Sequence, residues 1–549
     1  MLQNNPKLKS LIVSLWNTLY GGGISNPLVA IEQITYLLFI KRLDELENKR
    51  EKDKKDKTKS KFAGTYIPWI NESLYRPTAK MSKTEIVELE KKRIKALKPR
   101  TKKELQWSYF NEIPPSEILK HIKYNVFPFI KGLNDEGSSF SENMKDADFR
   151  IPKSSLLLEV IDKVNQIFIE IAEDSKDGKQ SFQDIQGDVY EMLLKEIASS
   201  GKNGQFRTPR HLIKLLAELT EPKLGDKIAD PACGTGGFLL GAYQYILASE
   251  AKKKKLDILQ TDEDGFLRPT ISSFLSKSEK KKLDNSFFGF DIDTTMVRLG
   301  LMNLMMHGID NPNINYKDTL SKNYNETGNY DKVLANPPFT GRLNKEEVNP
   351  NLGIDTGSTE LLFLSRISKM LRSGGKAAVI IPEGVLFGSS IAQKSTREIL
   401  LKDNQLEAVI SLPSGAFKPY TGVKTAILLF TKVKEGSKKW HTDKVWFYAL
   451  ENDGYSLDDS RRKLKENPLP IVKSEFTVRK EIEYTDRKNH FFVQLAEIQE
   501  NDLDLSYNRY KEYEYTEQTY EPPKEILSKL LEMEKGILAD MQELNDLIG

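Results

Sequence analysis

The middle of the chain alternates short apolar runs with helical patterns, and this alternation constrains the fold more than any other feature of the sequence. Each run is only a few residues long, which suits a buried strand. Such runs occupy 227–229, 287–290, 314–316, 333–335, 377–381 and 408–412, and helix candidates lie at 238–249, 294–307 and 359–371. Strands that alternate with helices predict an α/β fold with a doubly wound, mainly parallel sheet.

Two further apolar runs, 425–432 and 444–450, follow Gly422 and are joined by the polar stretch 435–443. We expect them to form an antiparallel hairpin at the edge of the sheet. The α/β domain then spans 176–455.

The first third of the chain, 1–175, has apolar residues at helical spacing and predicts a helical domain. A helix pair is expected between Leu8 and Leu46, with further helices at 83–97, 115–124 and 154–172. Between them, 49–61 carries eight Lys or Arg and three acids. It is typical of a solvated, mobile loop, and solubilising charge is favoured over a nucleic-acid contact.

The remainder, 456–549, is a C-terminal extension that ends in an amphipathic helix after Pro522-Pro523. Its apolar residues recur every three or four positions, at Ile526, Leu530, Met533, Ile537, Met541, Leu544 and Ile548. Such a seam needs a partner. Packing on its own chain and packing on another chain are equally compatible with the pattern.

Composition excludes several classes of protein. With one cysteine in 549 residues, neither an internal disulfide nor a metal site of several thiolates can form. A net charge of +3 argues against a uniformly basic surface that binds polyanions. The longest apolar run, 34–40, is far short of the ~20 residues that a membrane span needs. We expect a cytoplasmic protein without a membrane segment.

The first motif with chemical content is the glycine turn Asp230-Pro-Ala-Cys-Gly-Thr-Gly-Gly-Phe238, placed between a strand and a helix. Glycines allow a tight bend and a close approach of backbone to ligand. The acid precedes the glycines, which favours a cofactor with a cationic end over a pyrophosphate. The turn therefore points to S-adenosylmethionine rather than to NAD.

Acids also follow the next two strands. Asp291 ends the run Phe288-Gly289-Phe290, where a carboxylate can accept ribose hydroxyls, and Asp318 is placed to accept from an adenine amino group. Each acid alone is more often a helix cap or a solvated loop residue. Their occurrence at three successive strand ends favours a ligand site. The charged stretch 252–282 before Asp291 is interpreted as a surface insertion.

The fourth strand run ends in Asn336-Pro337-Pro338-Phe339. The carbonyl of Pro337 and the side-chain oxygen of Asn336 can both accept from one planar amino group, which favours the positive charge that develops as nitrogen attacks a methyl group. Phe339 offers a face on which the ring that carries the amine can stack. As a purely structural feature, the motif would be a stiff turn.

With these motifs, the chain resembles the amino-methylating DNA methyltransferases and, among them, the modification subunit of type I restriction–modification systems. The resemblance extends to Gly204-Gln-Phe-Arg-Thr-Pro-Arg210 and to Phe417-Lys-Pro-Tyr-Thr-Gly-Val-Lys-Thr425. It implies a seven-stranded, Rossmann-like methyltransferase domain. Relatives often have Glu where this chain has Asp291, and the shorter acid is still expected to reach the ribose hydroxyls.

The resemblance also implies roles for residues. The cofactor site so predicted comprises Gln205, Phe206, Arg207, Thr208, Pro209, Arg210, Asp230, Gly234, Thr235, Gly236, Gly237, Asp291 and Asp318, with Thr208 near the methionine end. The catalytic residues are Asn336, Pro337, Pro338 and Phe339, and no metal is required. A flipped adenine would stack on Phe339 and accept a methyl group at N6. Phe417 or Tyr420 is either a second aromatic wall or part of the core.

The resemblance further implies partners: double-stranded DNA, a specificity subunit shared by two modification subunits, and a restriction subunit. The helical domain is expected to make subunit and DNA contacts in a prokaryotic cytoplasm. The sequence lacks a Gly-x-x-x-x-Gly-Lys-Ser/Thr phosphate loop, and the extension is short for a module that reads DNA sequence.

Three alternatives differ in class: a protein glutamine methyltransferase, an NAD-dependent enzyme, and a scaffold that binds cofactor without catalysis. The chain is long for the first, the acidic turn disfavours the second, and the intact Asn336 motif argues against the third. Cytosine carbon-5 methylation needs a thiolate nucleophile in a catalytic loop. The single thiol, Cys233, lies inside the glycine turn, so methylation of an exocyclic amine is favoured.

Overall fold

In the computed structural model, the first third of the chain is helical, as predicted. The structure describes residues 5–52, 60–175, 208–270, 274–434, 436, 439–512 and 522–548. The helices of the first third are α1 (Pro6–Gly21), α2 (Pro27–Lys52), α3 (Lys83–Ala96), α4 (Ile118–His121), α5 (Phe127–Lys131), α6 (Ser139–Met144) and α7 (Ser154–Ser175). A π-helical turn, Ile122–Val126, joins α4 to α5, and Thr65–Tyr66 pairs with Arg100–Thr101 as a two-residue ribbon.

A nine-stranded sheet organises the rest of the described chain. Its strands are β1 (Ile228–Asp230), β2 (Phe287–Asp291), β3 (Asn313–Tyr316), β4 (Tyr330–Ala335), β5 (Leu371–Pro382), β6 (Asn404–Ser411), β7 (Thr425–Lys432), β8 (Lys444–Ala449) and β9 (His490–Gln494). They lie in the order β9-β8-β6-β7-β5-β4-β1-β2-β3. Pairing is parallel from β5 through β3 and between β6 and β8, which confirms a mainly parallel sheet.

Two expectations about the sheet are wrong. It has nine strands rather than seven, because β8 and β9 extend it beyond β6. The predicted hairpin of 425–432 with 444–450 does not form: β7 pairs antiparallel with β5 and β6, and β8 joins the far side of β6. Almost every residue of β7 is buried, which is typical of an interior strand rather than an edge. The domain boundaries at 175 and 455 stay predictions, and β9 lies beyond the second.

Helices cover both faces of the sheet, as a doubly wound fold requires. They are α8 (Arg210–Thr220), α9 (Gly237–Lys253), α10 (Lys277–Asp284), α11 (Thr294–Met306), α12 (Thr359–Met370), α13 (Gly384–Phe387), α14 (Ile391–Lys402), α15 (Leu469–Val478), α16 (Leu495–Glu500) and α17 (Tyr507–Tyr510). One apolar core joins the N-terminal helices to α8, α9, α11 and one face of the sheet. A second core fills the other face.

The stretch predicted as an insertion, 252–282, contains a small hairpin of Leu259–Thr261 and Leu267–Pro269, followed by α10. It is anchored to α8 by buried charges. The Lys214 ammonium lies 2.7 Å from a carboxylate oxygen of Asp262 and 2.6 Å from one of Asp264. Beside it, His211 Nε2 is 2.7 Å from Asp453, which also pairs with Arg461. We refer to these six residues as the buried charge network.

The predictions for the Lys-rich segment 49–61 and for the C-terminal helix have different outcomes. The segment 49–61 is not wholly a loop, because α2 continues to Lys52, and 53–59 lies outside the described residues. The C-terminal helix is confirmed as α18 (Pro523–Ile548). Its residues 523–547 are all exposed, so its apolar seam does not pack on the described part of the chain. Among the described residues, no helix is long and apolar enough to cross a membrane.

Candidate active site

A cavity of ≈ 360 Å³ opens where the parallel strands β1, β2 and β4 end. Ligands of α/β sheets bind at this edge of the sheet. Of the predicted site residues, it is lined by Thr208, Asp230, Gly234, Thr235, Gly237, Asp291, Asp318, Asn336, Pro337, Pro338 and Phe339. Pro209, Arg210 and Gly236 do not line it, and Gln205, Phe206 and Arg207 lie outside the described residues. Residues that are up to 131 positions apart thus share one cavity.

The glycine turn after β1 is held by three hydrogen bonds, which join it to the end of β2 and to α11. Gly234 and Gly236 have φ values of 51° and 76°, in the left-handed region that side chains disfavour. The Gly234 amide donates to a carboxylate oxygen of Asp291 at 2.9 Å, and the Asn303 side-chain amide donates to the carbonyl of Thr235 at 2.8 Å. The Cys233 amide donates to the carbonyl of Phe290 at 2.9 Å. The turn is therefore shaped by the protein itself.

Two carboxylates at the cavity lack a positive partner within the described chain. Asp230 is 1% exposed, and burial raises its pKa to about 8, with the nearby charge of Asp291 adding to the rise. Burial also raises the pKa of Asp291, although backbone amides of Asp293 and Gly234 oppose the shift. A cationic ligand would relieve both costs. The geometry therefore fits a cofactor that carries positive charge.

Asn336 is oriented by Thr208, which also lines the cavity. Its Nδ2 donates to the hydroxyl of Thr208 at 2.9 Å. Its Oδ1 is buried and has no hydrogen-bond partner among the described residues. A buried acceptor left without a donor costs free energy, so its presence in a cavity indicates a ligand donor. Asn336 can thus accept a hydrogen bond from an amino group.

Phe339 lies beside Asn336 with its ring largely covered. It is 6% exposed and makes an edge-to-face contact with Phe417, with the ring centroids 5.6 Å apart. Phe417 is fully buried, and neither Phe417 nor Tyr420 lines the cavity. In this structure Phe417 therefore supports Phe339 from the core and is not a second wall of the cavity.

The single thiol lies against the glycine turn. Burial raises the pKa of Cys233 well above its usual range, and the charges of Asp230 and Asp291 add to this shift. A thiol in such surroundings stays protonated near neutral pH and is a poor nucleophile. The geometry therefore agrees with the sequence argument against a thiolate route.

Sequence reasoning missed part of the cavity. Its wall includes Pro27, Leu28 and Ile31 from the start of α2, and Met296 and Leu299 from α11. These side chains are ordinary core apolar residues in the sequence, and no local motif marks them. Only the packing of the helical region against the sheet brings them to the site.

Comparisons with known proteins identify the family. The family model described as N-6 DNA Methylase matches residues 181–519, more than half of the chain. The chain belongs to the N-6 DNA methylase family. A second family model, described as HsdM N-terminal domain, matches residues 8–164, which are the helical region of this family member.

Individual proteins similar to this N-6 DNA methylase are methylase subunits of type I restriction enzymes. It is 32% identical over 353 residues to the type I restriction enzyme EcoEI methylase subunit of Escherichia coli, covering 62% of this chain and 64% of that protein. It is 31% identical over 277 residues to the EcoKI methylase subunit of Escherichia coli K12, covering 49% and 48%. The matches thus span about half to two thirds of these relatives.

Solved structures share the fold. A chain from a structure of the type I R-M system is 24% identical, with a TM-score of 0.60 and 99% of both chains covered. The type I restriction-modification methyltransferase subunit of Streptococcus thermophilus is 19% identical, with a TM-score of 0.61 and coverage of 92% and 100%. These likenesses confirm an α/β fold with a helical N-terminal region.

Proposed function

We propose that this chain is an adenine-specific DNA methyltransferase and the modification subunit of a type I restriction–modification complex. It transfers a methyl group from S-adenosylmethionine to N6 of a flipped adenine and so protects host DNA. The observation that carries the proposal is the unpartnered Oδ1 of Asn336 in a cavity that also holds two uncompensated acids. Family membership supports the same chemistry.

The residues of the cavity fit S-adenosylmethionine, which supplies the electrophilic methyl group when bound. Asp230 and Asp291 offer negative charge to its cationic groups, and Asp291 has lone pairs left to accept ribose hydroxyls. Asp318 lines the same cavity and is placed to accept from the adenine amino group. The glycine turn leaves room for the cofactor because its backbone carries no Cβ at Gly234.

The base site is assigned to Asn336, Pro337 and Phe339. Asn336 Oδ1 and the carbonyl of Pro337 accept from the N6 amine, which orients it and favours the positive charge that develops on nitrogen during attack. Phe339 supports the adenine ring by stacking. Flipping the base costs a few kcal/mol, which contacts in the pocket offset. Positioning and electrostatics are therefore the contributions of this chain.

The C-terminal helix and the names of the relatives support a proposal about the assembly. The apolar residues of α18 are strongly exposed, for example Met533 and Met541, each 64%. We propose that α18 docks on a specificity subunit, with two modification subunits per specificity subunit. A restriction subunit joins for cleavage. Since the substrate is host DNA, the complex is expected in the prokaryotic cytoplasm.

The test uses tritiated S-adenosylmethionine and unmodified DNA, with and without the specificity subunit, followed by identification of the methylated base. We expect N6-methyladenine only when the specificity subunit is present. Asn336→Ala should lower transfer by about 10²–10³-fold, as loss of a group that stabilises transition-state charge does. Its affinity for S-adenosylmethionine should stay within about threefold, because Asn336 contacts the base rather than the cofactor.

Asn344→Ala is the matched control, because Asn344 is exposed in the loop after Phe339 and does not line the cavity. It should transfer methyl groups at the wild-type rate. Full activity of Asn336→Ala, or methylation of cytosine, would contradict the proposal.

A further inference from the structure

The first turn of α2 belongs to the helical region, yet it forms part of the cavity. Pro27, Leu28 and Ile31 line it together with Asp291 and Ile292 from the end of β2. Leu28 is only half-buried, whereas Ile31 is 7% exposed and also packs in the core. The helical region therefore closes one side of the candidate cofactor site.

A buried ion pair fixes α2 next to this wall. Glu32 Oε1 accepts from Arg298 Nε at 2.6 Å, and both side chains are almost fully covered. Arg298 lies on α11 between Met296 and Leu299, which line the cavity themselves. Glu32 and Arg298 are not lining residues, so they hold the wall without contacting its contents.

A second contact ties the helical region to the next strand. The side chains of Ser139 and Asn143, on α6, both donate to the carbonyl of Ile314 in β3, the latter at 3.4 Å. The chain that leaves β3 carries Asp318 to the cavity. The helical region thus contacts α11, which follows Asp291, and β3, which precedes Asp318.

From these contacts we infer that the N-terminal helical region is a structural part of the methyl-donor site, and that its seating on α11 controls the affinity for S-adenosylmethionine. This inference rests on the proposed function of the cavity. If the ligand contacts α2 only when α2 is packed on α11, ligand binding and this packing stabilise each other by the same factor. The region that is expected to contact DNA and other subunits can then sense whether the methyl donor is bound.

The contact itself is tested with Leu28→Ala in the full-length chain, by calorimetric titration with S-adenosylmethionine. We expect the dissociation constant to rise about threefold to tenfold, because the variant removes apolar atoms from the wall. Val29→Ala is the matched control: Val29 is the next residue on the same helix, is also half-buried and does not line the cavity. It should bind like the wild type.

The coupling is tested with Glu32→Gln, which removes the charge without touching the ligand. We expect a rise in the dissociation constant of about threefold to tenfold, and a smaller increase in thermal midpoint on adding S-adenosylmethionine than in the wild type. Glu45→Gln is its control, because Glu45 lies on the same helix and pairs with Lys41 within it at 2.8 Å. It should leave both quantities unchanged.

The outcomes separate the two proposals. If the wild-type chain does not bind S-adenosylmethionine, the proposed function fails without any variant. If it binds and Leu28→Ala binds equally well, α2 is not part of the site. If Leu28→Ala is weakened but a folded Glu32→Gln binds like the wild type, the coupling through α11 is wrong. If Glu32→Gln fails to fold, the same titration is done with Arg298→Lys, which keeps the positive charge. A dissociation constant equal to that of the wild type would then contradict the coupling.

Discussion

Two groups of aspartates in this protein, one at the cavity and one in the buried charge network, face opposite electrostatic situations. At the cavity, burial raises the pKa of Asp230 to about 8 and also raises that of Asp291. In the buried charge network, burial pushes the pKa of Asp264 and Asp453 upward as well. There Lys214 outweighs the effect at Asp264, and His211 with Arg461 does so at Asp453, so that both pKa values are lowered.

Asp230, Asp264 and Asp453 are each 2% exposed or less, so the difference between them is the nearby cation. The acids of the network have their cations within the fold, and they hold the inserted hairpin and the segment after β8 against α8. Asp230 and Asp291 form no ion pair among the described residues. Lys317 lines the same cavity, but its ammonium pairs with Glu326 at 3.2 Å, so a structural role does not explain the two acids. Uncompensated acids in a cavity are candidates for ligand binding.

The largest effect is expected from Lys214→Met, which removes the closest cation of Asp262 and of the buried Asp264 and leaves them only Arg268 at 3.7 Å and Lys463 at 3.9 Å. Breaking a buried pair in this way costs about 3–5 kcal/mol of the free energy of unfolding. Chemical denaturation at neutral pH measures it. Lys91→Met is the control, because Lys91 forms an exposed pair with Glu88 and should cost less than about 1 kcal/mol. Equal free energies of unfolding for Lys214→Met and Lys91→Met would contradict a structural role for the buried charge network.

The cavity acids should behave in the opposite way. Asp230→Asn should weaken S-adenosylmethionine binding about tenfold to hundredfold, the value of a hydrogen bond to a charged group. It should not lower the free energy of unfolding at pH 8. Because the pKa of Asp230 is about 8 in the folded chain and ordinary in the unfolded chain, only the unfolded chain releases this proton as pH rises from about 4 to 8. The free energy of unfolding therefore falls over this range, and asparagine avoids that loss.

Asp226→Asn is the control for Asp230→Asn. Asp226 lies just before the other end of β1, where its side chain accepts from the amide of Lys223 at 2.8 Å. It should bind S-adenosylmethionine like the wild type. A loss of stability in Asp230→Asn with unchanged binding would assign Asp230 to the structure instead.

The pH dependence of binding gives an effect of up to about tenfold per pH unit. Below the pKa of about 8, Asp230 carries a proton that a cationic ligand must displace, so affinity should rise from pH 6 to 8 and then level off. Titration in buffers of different ionisation enthalpy should show about one proton released at pH 7. The same measurement on Asp230→Asn isolates the contribution of this group; identical profiles would exclude it.

The smallest effect is expected at Thr208, which links the cavity to the buried charge network. Thr208 precedes α8, which carries His211 and Lys214, and its hydroxyl accepts from Asn336. Thr208→Val should lower kcat about twofold to tenfold, the value of one neutral hydrogen bond, while the affinity for S-adenosylmethionine changes less. Thr208→Ser should restore kcat. A change confined to cofactor affinity would assign Thr208 to the cofactor alone.

Much of the fold could be predicted from the sequence because its signals are local. The periodicity of the first third predicts α1 to α4 and α7 but not α5 and α6. The apolar runs predict β1 to β6, although β5 begins at Leu371, well before its run at 377–381. The cavity also follows from local rules, since parallel strands place the residues after β1, β2 and β4 at one edge. The roles of those residues stay predictions.

The errors have a common cause, which is contact between distant parts of the chain. The position of β8 depends on which strand accepts it, and a pattern of apolar residues does not specify that. His211 and Asp453 are 242 residues apart, so nothing near either one predicts their pairing. The same holds for Leu28 at the cavity and for the Thr208 hydroxyl beside Asn336.

The glycine turn has a consequence for the entropy of binding. Fixing the backbone of one residue costs about 1–2 kcal/mol, and a loop that ordered around its ligand would lose that entropy at the moment of binding. Here Asp291, Asn303 and the carbonyl of Phe290 fix the turn by hydrogen bonds within the chain. We therefore expect the entropy of the turn to be lost during folding, so that a methyl donor at this site would bind, and leave once demethylated, without the turn having to reorganise.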